Sequence, residues 1–226
     1  MPIKLNNLFH IIISLCIVKS LTAQRIDTLL PRNSLSWCFQ VSEMRLDPYK
    51  NYVLHPQQRF SIEAGFLYHH VFWASTIANE FRTGVDFLDR KCLYTFKNGI
   101  ETEIRESFYR IPFWITSSTL TTFSNSKRHL FLTLGAGVSA SVLVNQAMAP
   151  AHTALYYKTA GFGDYIKSGM LAELSLSWID KQARGISGGF RMSSDFKNNY
   201  LLRKNSVISP HYSSFSFFIN VMRTSF

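Results

Sequence analysis

The chain has 226 residues, 46% hydrophobic and 15% aromatic, and carries a formal net charge of +10. That balance excludes a disordered polyelectrolyte, a collagen repeat and a disulfide-stapled miniature fold, and the length suits one domain. Its three cysteines include no CxxC pair, so neither a zinc site nor a redox motif is written here.

Residues 1–23 read as an export signal. Lys4 supplies the positive start, residues 8–18 an apolar core of 11 residues, and Leu21-Thr22-Ala23 a small-residue cleavage site before Gln24. Such a core falls well short of the ~20 residues a membrane-spanning helix needs. Leu15 stands where a lipoprotein signal needs a small residue before Cys16. Cleavage removes Lys4 and Lys19 and no acid, which lowers the charge by two to +8 for residues 24–226. No later run approaches 18 apolar residues, so a closed β-barrel is the remaining way for this chain to cross a bilayer.

Residues 24–226 alternate with period two. The first segment sets Leu35, Trp37, Phe39 and Val41 against Ser36, Gln40 and Ser42. The second sets Phe60, Ile62, Ala64, Phe66, Tyr68 and Phe72 against Ser61, Glu63, Gly65 and His69. Residues 81–96 make a third, whose parity changes near Asp89 as a bulge would make it. Residues 109–115 make a fourth, interrupted by Pro112, which a strand paired on both sides accepts only at an irregularity.

The fifth segment is the longest, with Leu130, Leu132, Leu134, Ala136, Val138, Ala140, Val142 and Val144 on one face. Thr133, Gly135, Gly137, Ser139 and Ser141 occupy most of the other. This exceeds the five or six residues usual in globular strands and covers the ~9–11 of a tilted transmembrane strand. The sixth sets Met170, Ala172, Leu174, Leu176 and Trp178 against Glu173, Ser175 and Ser177. The seventh sets Ile186, Phe190 and Met192 against Ser187, Gly189, Arg191 and Ser193. The eighth, residues 215–226, shifts from Phe215, Phe217, Ile219 and Val221 to Met222 and Phe226.

Short polar connections such as 124–127 and 180–182 alternate with long ones at 47–58, 97–106, 145–167 and 195–212. The expectation is an all-β fold: an eight-stranded, antiparallel, up-and-down transmembrane β-barrel, with short turns in the periplasm and long loops outside. Tyr68, Phe72, Trp73, Tyr109 and Trp178 would supply interfacial girdles. Glu63, Arg110, Glu173 and Arg191 fall on the inward faces of four strands, where buried charge must be paired. A salt-bridge network plugging the narrow interior is expected, rather than an open channel.

Motifs with catalytic or ligand-binding associations are few. Gly135-Ala136-Gly137-Val138-Ser139-Ala140 matches a loose G-x-G-x-x-A dinucleotide fingerprint, yet alternation runs straight through it and no acid follows about 20 positions later. His69 and His70 point to opposite faces of a strand and cannot both chelate one metal. His211-Tyr212-Ser213 is similar to the His-x-Ser spacing of barrel enzymes that deacylate lipid A. A triad of that kind needs a carboxylate, and no Asp or Glu follows Asp195, so it would have to come from another strand. Lys197, Arg203 and Lys204 face one acid, Asp195, in the long loop before the last strand, a mixture suited to the anionic head groups of lipopolysaccharide. No catalytic residue, metal, cofactor or nucleic-acid partner is expected.

The chain resembles the small outer-membrane β-barrel family described as porin-like or PorT-like. The likeness is carried by the signal end Ala23-Gln24, the strand Phe60-Ser61-Ile62-Glu63-Ala64-Gly65-Phe66-Leu67-Tyr68 and the step Tyr109-Arg110-Ile111-Pro112-Phe113-Trp114-Ile115. Leu134-Gly135-Ala136-Gly137 and the terminal Phe226 extend it. Family members commonly place a lysine soon after the Ile-Pro step, where Thr116 stands here. The resemblance implies the outer membrane as location and Phe226 as a signal to the barrel-assembly machinery. The leading expectation is a non-enzymatic barrel whose exposed loops contact outer-membrane lipids, lipopolysaccharide or a partner protein, and the resemblance alone suggests an accessory role in secretion as an alternative.

Overall fold

The computed structural model describes residues 30–46, 53–57, 59–96, 101–121, 128–149, 161–163, 166–180, 184–196 and 212–224. Nine strands follow in order: β1 (Asn33–Leu46), β2 (Val53–Gln57), β3 (Arg59–Ala74), β4 (Ile77–Phe96), β5 (Glu101–Leu120), β6 (Arg128–Ala149), β7 (Ile166–Asp180), β8 (Gly185–Asp195) and β9 (Tyr212–Thr224). Both β2 and β3 pair with β4, on successive stretches of it, so the nine strands make eight staves. All neighbours are antiparallel, and the pairings β4–β5 and β1–β9 close the sheet into an eight-stranded, up-and-down barrel. No helix occurs among the described residues.

Paired residues followed from Ser177 through Ser187, Asn220, Cys38, Gly65, Asp86, Arg110 and Ser141 return to β7 at Lys167, ten residues from the start. A stagger of that size on eight staves tilts the strands by roughly 40–45° and sets a radius of about 8 Å. Eight staves at that radius enclose an interior just wide enough for side chains to fill.

Polarity is inverted relative to a soluble barrel. Trp37, Phe39, Ile62, Phe66, Ile115, Leu176, Phe190 and Phe217 are exposed on the outer wall, while Gln40, Glu63, Arg82, Asp86, Arg110, Glu173 and Arg191 are buried inside. Outward apolar runs such as 35–41, 109–115 and 170–178 make a belt roughly 18–23 Å tall at ~3.3 Å per residue and this tilt. Tyr68, Phe72, Trp73, Tyr109 and Trp178 are all exposed on that wall.

Two strands, β4 and β9, depart from the sequence reading, and β5 accommodates Pro112 at a gap in its pairing. β4 keeps one parity from Ala78 to Lys91, with Arg82, Asp86, Leu88 and Arg90 buried and Val85, Phe87 and Lys91 exposed. Leu88 is apolar but faces the lumen, and Asp89 is polar but lies on the outer face beyond the belt, so the pair mimics a slip in register. β9 runs without a register shift to Thr224. Pro112 sits inside β5, a continuous strand of 20 residues. Its missing N–H falls where no pairing joins residues 111–112 to 84–85 of β4, while pairing to β6 continues at Pro112↔Ser139.

Register shifts lie elsewhere, between Val53 and His55 of β2, between Val71 and Trp73 of β3, and opposite Ser107/Phe108, where β6 steps from Leu143 to Asn145. Strands also reach into the expected loops: β5 starts at Glu101, β6 runs to Ala149, and β2 lies within 47–58. Outward Glu103 and Arg105 with inward Ile104 reverse the usual lipid-belt polarity, which hid that extension.

The lumen is layered. At the short-turn end, Ala78, Phe131 and Ile179 pack with Leu30, Val71, Ala74 and Leu120 as an apolar floor. Towards the long-loop end, Leu88, Phe108 and Leu143 form a second apolar cluster. The buried charges of Glu63, Arg110, Glu173 and Arg191 lie between them, while Arg90 and Lys167 pack on the Phe108 ring at the loop end.

Candidate functional site

Glu63, Arg110, Glu173 and Arg191 are 1%, 2%, 5% and 1% exposed and belong to two ionic groups. In the first, Arg110 Nη2 donates to Glu63 Oε1 and, at 3.0 Å, to Asp86 Oδ2. Gly65 makes this possible, because a Cβ there would lie 2.3 Å from Asp86 Oδ1. In the second, Arg191 Nη2 donates to Glu173 Oε2 at 2.8 Å and Nη1 to Gln40 Oε1 at 2.9 Å. The same guanidinium stacks 4.8 Å from the Trp114 ring centre and 4.4 Å from that of Phe218.

Glu173 also accepts from Arg82 Nη1 at 2.9 Å and Ser175 Oγ at 3.0 Å. Arg82 continues to Glu80, whose Oε1 lies 2.6 Å from His69 Nδ1; His69 Nε2 lies 2.6 Å from Ser36 Oγ. Asp86, Arg82, Glu80 and His69 were not foreseen as members, although inward parity on β3 and β4 was a usable signal.

A third polar group occupies the loop end. Tyr212 Oη donates to Glu106 Oε2 at 2.9 Å, Gln146 Nε2 donates to Glu106 Oε1 at 2.9 Å, and Lys167 Nζ lies 3.5 Å from Glu106 Oε2. Arg90 Nη1 donates to Asp195 Oδ2 at 3.2 Å. Both cations lie against the Tyr212 ring, Arg90 at 4.5 Å and Lys167 at 4.8 Å from its centre.

The barrel mouth is uneven. β4, β5 and β6, with 20, 20 and 22 residues, outreach β8 with 11. Beyond Val142, β6 pairs with β5 and not with β7. This projecting wall bears Arg105–Asp89 at 2.6 Å and Lys91–Glu103 at 2.7 Å on its outer face. Hydrogen bonds to Asp89 raise the Arg105 pKa above its ordinary value.

On the opposite side, an open groove of about 670 Å³ is lined by Met170, Ala172, Met192, Phe215, Ser213 and Glu43. Glu43 stands directly across from Phe215 in the β1–β9 register. Residues 135–140 are ordinary β6 strand. His70 Nδ1 lies 2.8 Å from Asn33 Oδ1, and no group of three or more metal-ligating side chains gathers among the described residues. The expected signal segment 1–23, the cationic loop residues Lys197, Arg203 and Lys204, His211 and Phe226 lie outside the described residues.

The sequence matches no protein-family profile and no curated protein. Among solved structures, the chain is similar to Ail, the attachment invasion locus protein of Yersinia pestis. The identity is 11%, over 86% of this chain and 100% of that chain, with a TM-score of 0.33. That degree of likeness assigns neither activity nor partner.

Proposed function

We propose that this chain is a non-catalytic, integral outer-membrane barrel whose filled lumen serves as a rigid support for its loop-end surface. The observation that carries the reading is the inverted polarity: a continuous apolar wall outside and paired charges inside. Water cannot surround such a wall at low cost, because exposed apolar patches on soluble monomers rarely exceed a few hundred Å². A bilayer supplies the apolar surroundings the wall requires, and a closed barrel leaves no backbone edge unpaired within it.

The contact surface is the uneven mouth, with its projecting β4–β6 wall and the cationic loop containing Lys197, Arg203 and Lys204, directed to lipopolysaccharide or a protein at the cell surface. The test is fractionation of the native chain combined with gel mobility before and after boiling. Recovery with outer membrane and a heat-dependent shift is expected. A soluble periplasmic product needing no detergent sinks the reading.

A second reading, a barrel-embedded esterase acting on lipid A, is favoured by one observation: Glu43 lines the outer groove with Ser213. It supplies, from β1, the carboxylate that the His211-Tyr212-Ser213 segment lacks downstream. Loss of an acyl chain from lipid A by mass spectrometry, abolished by Ser213→Ala, separates this reading from the first.

A further inference from the structure

Glu43 stands in the outer wall level with apolar side chains. Ala172, Met192, Phe215 and Glu43 form one row of paired residues across β7, β8, β9 and β1, and all four line the outer groove of about 670 Å³. The next outward-facing row, nearer the mouth, brings Met170, Ser194 and Ser213 to the same groove. Phe190 stacks on Phe215 with ring centres 5.4 Å apart, which fixes that wall.

The groove offers two chemistries. Ala172 between Met170, Met192 and Phe215 makes an apolar trough, and unbranched methionines adapt their shape to a hydrocarbon chain. Beside it, Ser194 Oγ and Ser213 Oγ lie 3.3 Å apart, and whichever donates to the other, one hydroxyl hydrogen stays free to donate outward. Glu43 is exposed and, while ionised, can only accept. A charge on a lipid-facing wall is costly and persists where a partner stabilises it. A lipid seated here therefore meets a donor at the serine pair and an acceptor at Glu43. An ester linkage brings acceptors alone. An amide linkage brings a C=O and an N–H together, and matches both.

We propose that the groove binds one acyl chain of a membrane lipid whose linkage carries a hydrogen-bond donor, an amide-linked chain in chemical terms. The chain lies over Ala172 between the methionines and Phe215, the amide C=O accepts from the serine pair, and its N–H donates to Glu43. The inference rests on the outer wall facing lipid. It uses Ser213 as a donor rather than as a nucleophile, and does not involve the cationic loop.

The test reconstitutes the full barrel in vesicles holding equal amounts of sphingomyelin and phosphatidylcholine, which share a headgroup but differ in amide and ester linkage. After extraction in mild detergent, retained lipid is read by native mass spectrometry. Several-fold enrichment of sphingomyelin is expected. A folded barrel that retains the two lipids equally overturns the proposal and leaves the membrane reading intact, whereas a chain that needs no detergent sinks the membrane reading itself. Glu43→Leu is expected to abolish the preference, and Ala172→Trp, which fills the trough from outside the lumen, to lower retention of both lipids; heat-dependent mobility shows that each variant folds. A preference that survives Glu43→Leu, or retention that survives Ala172→Trp, overturns the assignment. Release of the acyl chain as a free acid makes Ser213 a nucleophile, and overturns a groove that only binds.

Discussion

Arg191 Nη2 and Glu173 Oε2 lie 2.8 Å apart with neither side chain exposed to solvent. Glu173 serves Arg82 as well, so one carboxylate holds two guanidinium groups from different strands. Glu173→Leu leaves both cations buried without it and is expected to cost about 3–5 kcal/mol, read as a lower urea midpoint in detergent. Asp89→Asn, which breaks a pair on the outer face, is expected to cost less than about 1 kcal/mol. Equal midpoints for the two variants would show that the interior charges do not hold the barrel together.

The outer wall predicts a contrast on β6. Leu134 faces outward opposite Leu174, and Leu134→Arg is expected to cost about 2–4 kcal/mol in a lipid-bilayer folding assay. Ser139 is buried on the inner face, and Ser139→Asn is expected to cost less. If both proved equally harmless, the belt would not be facing lipid.

If the two ionic groups and the turn-end floor of Ala78, Phe131 and Ile179 fill the lumen as proposed, no continuous aqueous path is left through it. Planar-bilayer recordings of the reconstituted protein are expected to give little current. Large, stable single-channel steps would overturn the filled-lumen reading.

Neutralising Lys197, Arg203 and Lys204 together is expected to weaken association with lipopolysaccharide and flatten its dependence on salt, because screening acts on exposed charge. Heat-dependent mobility should be unchanged. Unaltered affinity and salt dependence in the triple variant would remove the loop from the contact surface.

Alternation identifies faces, which is why Glu63, Arg110, Glu173 and Arg191 could be placed inside from their neighbours in sequence. It carries no information about azimuth around a closed sheet. The Arg82–Glu173 bond joins residues 91 positions apart across the lumen, and no local pattern in either strand names the other. The extent of β4 and β5 was obscured for a different reason. Beyond the apolar belt the outer face turns polar while inward positions such as Leu88 and Phe108 stay apolar, so a rule built on lipid contact inverts there.

The join between β1 and β9 has a kinetic meaning. Residues near the two ends of the chain pair along the full length of both strands, from Ser34↔Thr224 to Leu46↔Tyr212. β1 has β3 on one side, but its second partner, β9, is the last strand made, so until β9 is in place β1 and β8 each keep a bare edge. Contacts of such sequence separation close late and slowly. A chain that stops before Tyr212 therefore retains two open edges, and its expected fate is aggregation or degradation rather than a smaller barrel.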